Sequence, residues 1–148
     1  DASIVADCLI EADLRGVQTH GLSRLPVYVE RLKRKMMNPN PKMTLNKITA
    51  VCASLDGDNG FGFLVGRRGM AEAINMAKNN GVGIVAARNS NHFGMAASYL
   101  LQAIEAGYLL LYSVMQLPQC LHGGGVRGYL EPTHLLLVHR PIKKCHLF

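Results

Sequence analysis

The chain has 148 residues, 49% of them hydrophobic and 18% charged, with no tryptophan and a net charge of +6. That length suits one domain with a sizeable core and excludes two ordinary domains. The apolar content excludes disorder, and Ser98, Gln102 and Glu105 interrupt the best candidate for a membrane helix, so no membrane partner is expected.

The chain begins at Asp1 and not at Met, so a missing N-terminus is expected, and the first residues form an amphipathic run and not a signal peptide. Residues 2–14 carry Ile4, Val5, Cys8, Leu9 and Ala12 at helical spacing, and Gly16 follows as a stop. Residues 22–37 predict a second helix with Leu25, Tyr28, Val29, Leu32 and Met36 on one side and Pro26 in its first turn. Asn38-Pro39-Asn40-Pro41 breaks the chain. Ile48 to Leu55 reads as a strand that ends in the turn Asp56-Gly57-Asp58-Asn59-Gly60. A long helix is expected from Phe61 to Lys78, with Leu64, Met70, Ile74 and Ala77 facing inward and Asn80-Gly81 as its cap. Val82 to Ala87 predicts a buried strand, residues 88–92 a loop, Phe93 to Ala106 a helix closed by Gly107, and Tyr108 to Leu111 the start of another strand. Alternating strands and helices over residues 48–111 argue for an α/β sandwich preceded by two helices.

His92 falls in a polar turn after a buried strand and before a helix, where α/β proteins bind ligands and where helix N–H groups favour an anion. Histidine also suits general acid–base work; a turn or capping histidine is the other reading. His20 sits between the first two helices with Arg24 and Tyr28 at i+4 and i+8 along one face. A histidine beside an arginine suits a carboxylate substrate, which arginine grips bidentately; a helix–helix turn with a solvated arginine is the alternative. Lys33, Arg34 and Lys35 read as a solvated helix end. Residues 57–62 run G-x-x-G-x-G and lack the glycine order of a dinucleotide fingerprint, so a tight turn into a helix is the better reading. His122-Gly123-Gly124-Gly125 is similar to an esterase oxyanion loop, but no G-x-S-x-G elbow exists to use it. Cys8, Cys52, Cys120 and Cys145 show neither a C-x-x-C pair nor zinc spacing, so reduced thiols, no metal and a cytoplasmic location are expected.

Three segments together resemble the malate/L-lactate dehydrogenase family that lacks a Rossmann fingerprint, whose relatives include ureidoglycolate, sulfolactate and diketogulonate dehydrogenases. They are Ala12-Asp13-Leu14-Arg15-Gly16-Val17-Gln18-Thr19-His20-Gly21-Leu22-Ser23-Arg24 followed by Tyr28, then Asp56 to Gly62, then Asn89-Ser90-Asn91-His92-Phe93-Gly94-Met95-Ala96. The resemblance covers residues 1–111. It implies an α/β, mixed-sheet fold particular to that family, incomplete in this chain. It also implies NAD or NADP as cofactor, hydride transfer to or from a small 2-hydroxy or 2-oxo acid, and a homodimer for the full-length member. By that resemblance His92 is the proton donor–acceptor, and His20, Arg24 and Tyr28 face the substrate.

Residues 112–148 differ in character. They hold four of the six histidines and half of the basic excess in a quarter of the chain. The family's expected S/T-N-A, P-W-G-G and G-T-N-P-F segments are absent. Read from the last base of each codon, residues 112–124 permit F-S-N-A-A-P-A-M-P-P-W-G, and residues 130–138 permit G-T-N-P-F-A-F-G. A one-base slip near Leu111 is the reading this suggests, and an inactive product is expected of the chain as written. The rival reading, a basic module binding nucleic acid or an anionic surface, calls for a basic stripe with interleaved aromatics. Lys33–Lys35 is the only basic cluster and no aromatic interrupts it, so no nucleic-acid partner is expected.

Overall fold

The computed structural model describes residues 1–115 and 133–139. Helix α1 (Ala2–Leu14) buries Cys8, Leu9 and Ala12, the expected apolar stripe. Two short 3-10 turns, η1 (Gln18–His20) and η2 (Leu22–Arg24), lead into α2 (Leu25–Lys33), which has its proline in the first turn. This helix is shorter than the spacing predicts. Of its expected apolar side only Tyr28 is buried, while Leu25, Val29 and Met36 are each more than 40% exposed. The apolar spacing belongs to a helix that meets the rest of the described chain through one narrow strip.

Five strands form a single sheet in the order β1-β2-β3-β5-β4: β1 (Thr44–Lys47), β2 (Cys52–Gly60), β3 (Val82–Ser90), β4 (Leu109–Met115) and β5 (Thr133–His139). Only β2 and β3 are parallel, so the sheet is mixed and the class is α/β. Helix α3 (Gly62–Asn80) crosses over between the parallel pair. It buries Leu64, Met70, Ile74 and Ala77, as the spacing predicts, and its Gly81 cap adopts φ +85°, a left-handed conformation that glycine takes without a Cβ penalty. The core lies between α3 and one sheet face, where Ala53, Leu55, Val85, Ala87, Leu136 and Val138 meet Val65, Met70, Ala73 and Tyr99. Small residues bring helix and sheet close: a Cβ on Gly83 would stand 2.0 Å from the Ala73 carbonyl oxygen. A second cluster, Cys8, Leu9, Tyr28 and Phe63, joins α1 and α2 to the start of α3.

Four expectations need correction. Residues 48–51 form the hairpin loop between β1 and β2, with the Ile48 N–H donating to the Cys52 carbonyl at 2.9 Å. The polar edge strand β1 gave no period-2 signal to detect. Residues 56–60, expected as a turn, are the end of β2. Asp58 and Asn59 do adopt positive φ, and the Asp58 N–H donates to Asp56 Oδ1, but pairing resumes at Gly60 opposite Ser90. The turn residues therefore make a bulge inside a strand. The loop expected at 88–92 is mostly β3, and helix α4 (Ala97–Glu105) starts four residues later than expected. Gly94 at φ +72° carries the chain over Phe63 first, so the α4 N-terminus does not stand directly after His92. Last, the strand expected to start at residues 108–111 does so and runs on as β4 to Met115, and β5, where no clear period was found, seats Leu136 and Val138 in the core. The glycine run after His122, Cys120, Cys145 and most of the slipped-frame segments lie outside the described residues. Among the described residues, no helix is long and apolar enough to cross a membrane.

The two glycines around β3 separate two kinds of cost. Gly81→Ala meets only the backbone penalty, about 1 kcal/mol. Gly83→Ala drives a methyl into a helix carbonyl and is expected to cost about 3 kcal/mol, as overpacking does. Urea unfolding midpoints of the two variants compare them; equal losses would show that α3 is free to move off the sheet.

Candidate active site

The site forms where the η1–η2–α2 segment folds back over the β3–α4 connection. Asp13, at the end of α1, anchors it: its Oδ2 accepts the Leu22 N–H at 2.9 Å. Gly21 makes that approach possible, since a Cβ there would lie 1.9 Å from Asp13 Oδ1. Ser23 Oγ donates to the Gln18 carbonyl at 2.6 Å and Arg24 Nε to the Thr19 carbonyl at 2.7 Å, closing the two turns on each other. Thr19 Oγ1 lies 2.9 Å from His20 Nδ1.

All four residues singled out in the sequence come together. The His20 and His92 rings stack at 5.4 Å between centroids. Tyr28 Oη is 2.8 Å from His92 Nδ1, a hydrogen bond between residues 64 apart in the chain. Tyr28 is itself wedged edge-on against Phe61 and Phe63, at 6.0 and 5.6 Å, contacts of the kind worth about 1 kcal/mol beyond burial. Arg24 is exposed, and with Nε spent on Thr19 its two Nη groups have no hydrogen-bond partner among the described residues. The expected single helical face is instead two 3-10 turns and the first turns of α2.

Electrostatics define the resting state of His92. Burial comes first, then the positive charge of His20, Arg24 and Arg31, and together they push its pKa from 6.5 down to about 4. The ring is neutral at pH 7. The Gly94 N–H, which can only donate, points at Nδ1 from 3.3 Å. Nδ1 therefore carries the lone pair, Tyr28 donates to it, and the ring proton sits on Nε2. Burial pushes the Tyr28 phenol up to about 12, partly offset by Arg24 and Arg31, so it stays a neutral donor. Nδ1 is occupied twice over, which leaves Nε2 as the nitrogen that can meet a ligand.

Two residues at this site carried no assigned role in the sequence. Asn91, 4% exposed, donates through Nδ2 to the Asn59 and Gly60 carbonyls and accepts at Oδ1 from Arg31 Nη2 at 2.8 Å. Arg31 sits three residues after Tyr28, which places both on one helix face; that spacing was the available signal. The glycine-rich stretch at 57–62 makes no cradle. A Cβ on Gly57 would meet the Asn89 carbonyl at 2.6 Å, on Gly60 Pro41 at 2.6 Å, and on Gly62 the Asn91 carbonyl at 2.2 Å, so the space beside each glycine is filled by the chain itself.

The depressed His92 pKa has a stability consequence. As pH falls below 6.5 the unfolded chain takes up a proton on this residue, while the folded chain does not until about pH 4. Stability contributed by the neutral buried ring is thus lost across that window and changes no further below it. Melting temperatures measured between pH 7 and 4 should fall for the parent chain, and His92→Gln should flatten the curve. An unchanged slope in His92→Gln would rule out His92 as the source.

The sequence profile of the family described as malate/L-lactate dehydrogenase matches residues 1–130. Malate dehydrogenase of Pyrococcus abyssi is 44% identical over 137 residues, covering 93% of this chain and 38% of that protein. L-sulfolactate dehydrogenase of Methanocaldococcus jannaschii is 48% identical over 99 residues, covering 67% of this chain and 29% of that one. Among solved structures, malate dehydrogenase from Pyrococcus horikoshii OT3 superimposes with a TM-score of 0.72 at 47% identity, over 76% of this chain and 32% of that chain. This chain therefore spans about a third of the length of these relatives, and on the extent and identity of the matches it belongs to the malate/L-lactate dehydrogenase family.

Proposed function

We propose that these residues form the acid-binding and proton-transfer part of a dehydrogenase that interconverts small 2-hydroxy and 2-oxo acids, with NAD or NADP as redox partner. The observation that carries this reading is the neutral His92 ring, held at Nδ1 by Tyr28 and Gly94 with Nε2 left open, beside an arginine with two uncommitted Nη groups. Malate and sulfolactate, named for two relatives, are both 2-hydroxy acids.

A substrate carboxylate would take the Arg24 fork, whose planar geometry favours bidentate contact. Its negative charge would offset that of Arg24 and Arg31, two of the groups that depress His92, and so raise the His92 pKa when substrate is bound. When an oxo acid is reduced, the ring, which has taken a second proton from solvent at Nδ1 once the bound carboxylate raises its pKa, gives the Nε2 proton to the substrate oxygen. It is left neutral with its remaining proton on Nδ1, toward Tyr28 Oη. When a hydroxy acid is oxidised, that Nδ1–H form takes the hydroxyl proton at Nε2 and becomes the doubly protonated ring. Tyr28 serves both states because a hydroxyl donates or accepts. The nicotinamide nucleotide supplies the redox chemistry, but the described residues do not fit it: the only glycine-rich loop among them is filled by the chain's own atoms. We assign no cofactor-binding residue here.

The same resemblance supports a cytoplasmic homodimer for the full-length protein, and a one-base slip near Leu111. Solved structures cover 72–76% of this chain, about the share that residues 1–111 represent, while the family profile runs on to residue 130. Strand β5 is compatible with the slip, because any run of leucine and valine can fill a sheet position.

The chain as written is expected to show no turnover of 2-oxo acids with NADH, whereas the protein read from its genomic locus in the restored frame should. In that protein His92→Gln should lower kcat by roughly 10²–10⁴-fold, the range of general acid–base catalysis. Arg24→Met should act mainly on KM for the acid. Steady-state kinetics on both variants test this; full activity in His92→Gln would overturn the role of His92. An uninterrupted locus through codon 111 would overturn the slip.

A further inference from the structure

Asn91 is the residue immediately before His92, and its carboxamide is committed on every side. Oδ1 accepts from Arg31 Nη2 at 2.8 Å. Nδ2 stands 2.9 Å from the Asn59 carbonyl, 2.8 Å from Asn59 Oδ1 and 3.0 Å from the Gly60 carbonyl. Turned end for end, the amide would set its NH₂ against a guanidinium and its oxygen against three acceptors. A buried amide so surrounded has one allowed orientation. The far side is fixed as well, since Asn59 Nδ2 donates to the Met36 carbonyl at 3.2 Å and the Asn91 N–H to the Gly60 carbonyl at 3.2 Å.

Helix α2 thus reaches the loop twice from one face. Tyr28 holds His92, and Arg31, three residues on, holds Asn91. A single hydrogen bond leaves the loop free to pivot about it, whereas two bonds to successive residues do not. We infer that Arg31 is a positioning residue: through Asn91 it holds the loop so that His92 meets Tyr28 at Nδ1 and keeps Nε2 open. The value of that positioning to turnover rests on His92 being the proton-transfer group, as proposed above, but the ring geometry itself does not.

The test uses ¹⁵N-histidine NMR of this chain at pH 7.5, without cofactor or substrate, with the His92 signal assigned by its loss in His92→Gln. The parent chain should show one tautomer with a hydrogen-bonded, unprotonated Nδ1. Arg31→Met keeps the reach and the aliphatic packing but not the donor, and should shift or exchange-broaden that signal. Arg31→Lys, which can make the single bond to Oδ1, should restore it. If Arg31→Met does not fold, Arg31→Gln, too short to reach Asn91, takes its place with the same expectation. A His92 signal unchanged in the donor-less variant overturns the inference. In the protein expressed from the restored frame, Arg31→Met should lower kcat by about 10²-fold, as a displacement of about 1 Å at a reacting group does, with KM for the acid little changed. No turnover in that parent protein would refute the dehydrogenase reading alone, because the ring signal is read without it.

Discussion

The hydrogen bond from Tyr28 Oη to His92 Nδ1 joins, with that from Arg31 to Asn91, helix α2 to the connection that follows β3. Helix α2 leaves most of its apolar residues exposed and has little core of its own among the described residues. Its attachment depends on Tyr28, which is packed between Phe61 and Phe63 and bonded at its tip to the histidine. The ring body supplies apolar burial and the hydroxyl supplies direction, the two uses that make a buried tyrosine specific where a phenylalanine would only be sticky. The cost of misplacing this one side chain is therefore shared by packing and site together.

The surroundings of His92 are positive by design of the fold and not by composition. Two cationic groups, Arg24 and Arg31, arrive from the neighbouring elements η2 and α2, and they disfavour a positive charge on the ring, as does the adjacent His20 of η1. The overall net charge of +6 does not describe this, because half of the excess lies beyond residue 111. A local cluster of cations around a neutral base in a partly buried site selects for an anion far more sharply than a diffuse basic surface, since Coulomb terms grow as solvent is excluded. The same arrangement links anion binding to the proton affinity of His92: filling the space beside the arginines with a carboxylate lifts the restraint on protonation.

Much of this was legible in the sequence. The stripes of α1 and α3, the left-handed cap at Gly81 and the buried strand β3 follow from period and turn chemistry acting locally. The bulge at Asp58-Asn59 was read as a chain reversal because those residues favour positive φ in either setting, and only the register with β3 decides between them. His20, Arg24, Tyr28 and His92 stood out for their residue types and for the segments they share with a known family. Asn91 and Arg31 did not, since an amide and an exposed-looking arginine acquire meaning only from what faces them across 60 residues of sequence.

The placement of the glycines explains why the described residues leave no open glycine cradle beside His92. Gly21 lets the Asp13 carboxylate close under η2, Gly62 lets α3 begin against the Asn91 and His92 backbone, and Gly94 turns the chain across Phe63. Each glycine draws backbone against the chain's own atoms, which holds the segments around the His92 ring in close contact. A phosphate-binding loop spends its glycines in the opposite way, leaving N–H groups open to a ligand's oxygens. Rigidity around His92 and openness toward a dinucleotide are incompatible demands on one glycine-rich stretch, so in a dehydrogenase built on residues 1–111 the nucleotide has to be held by other segments.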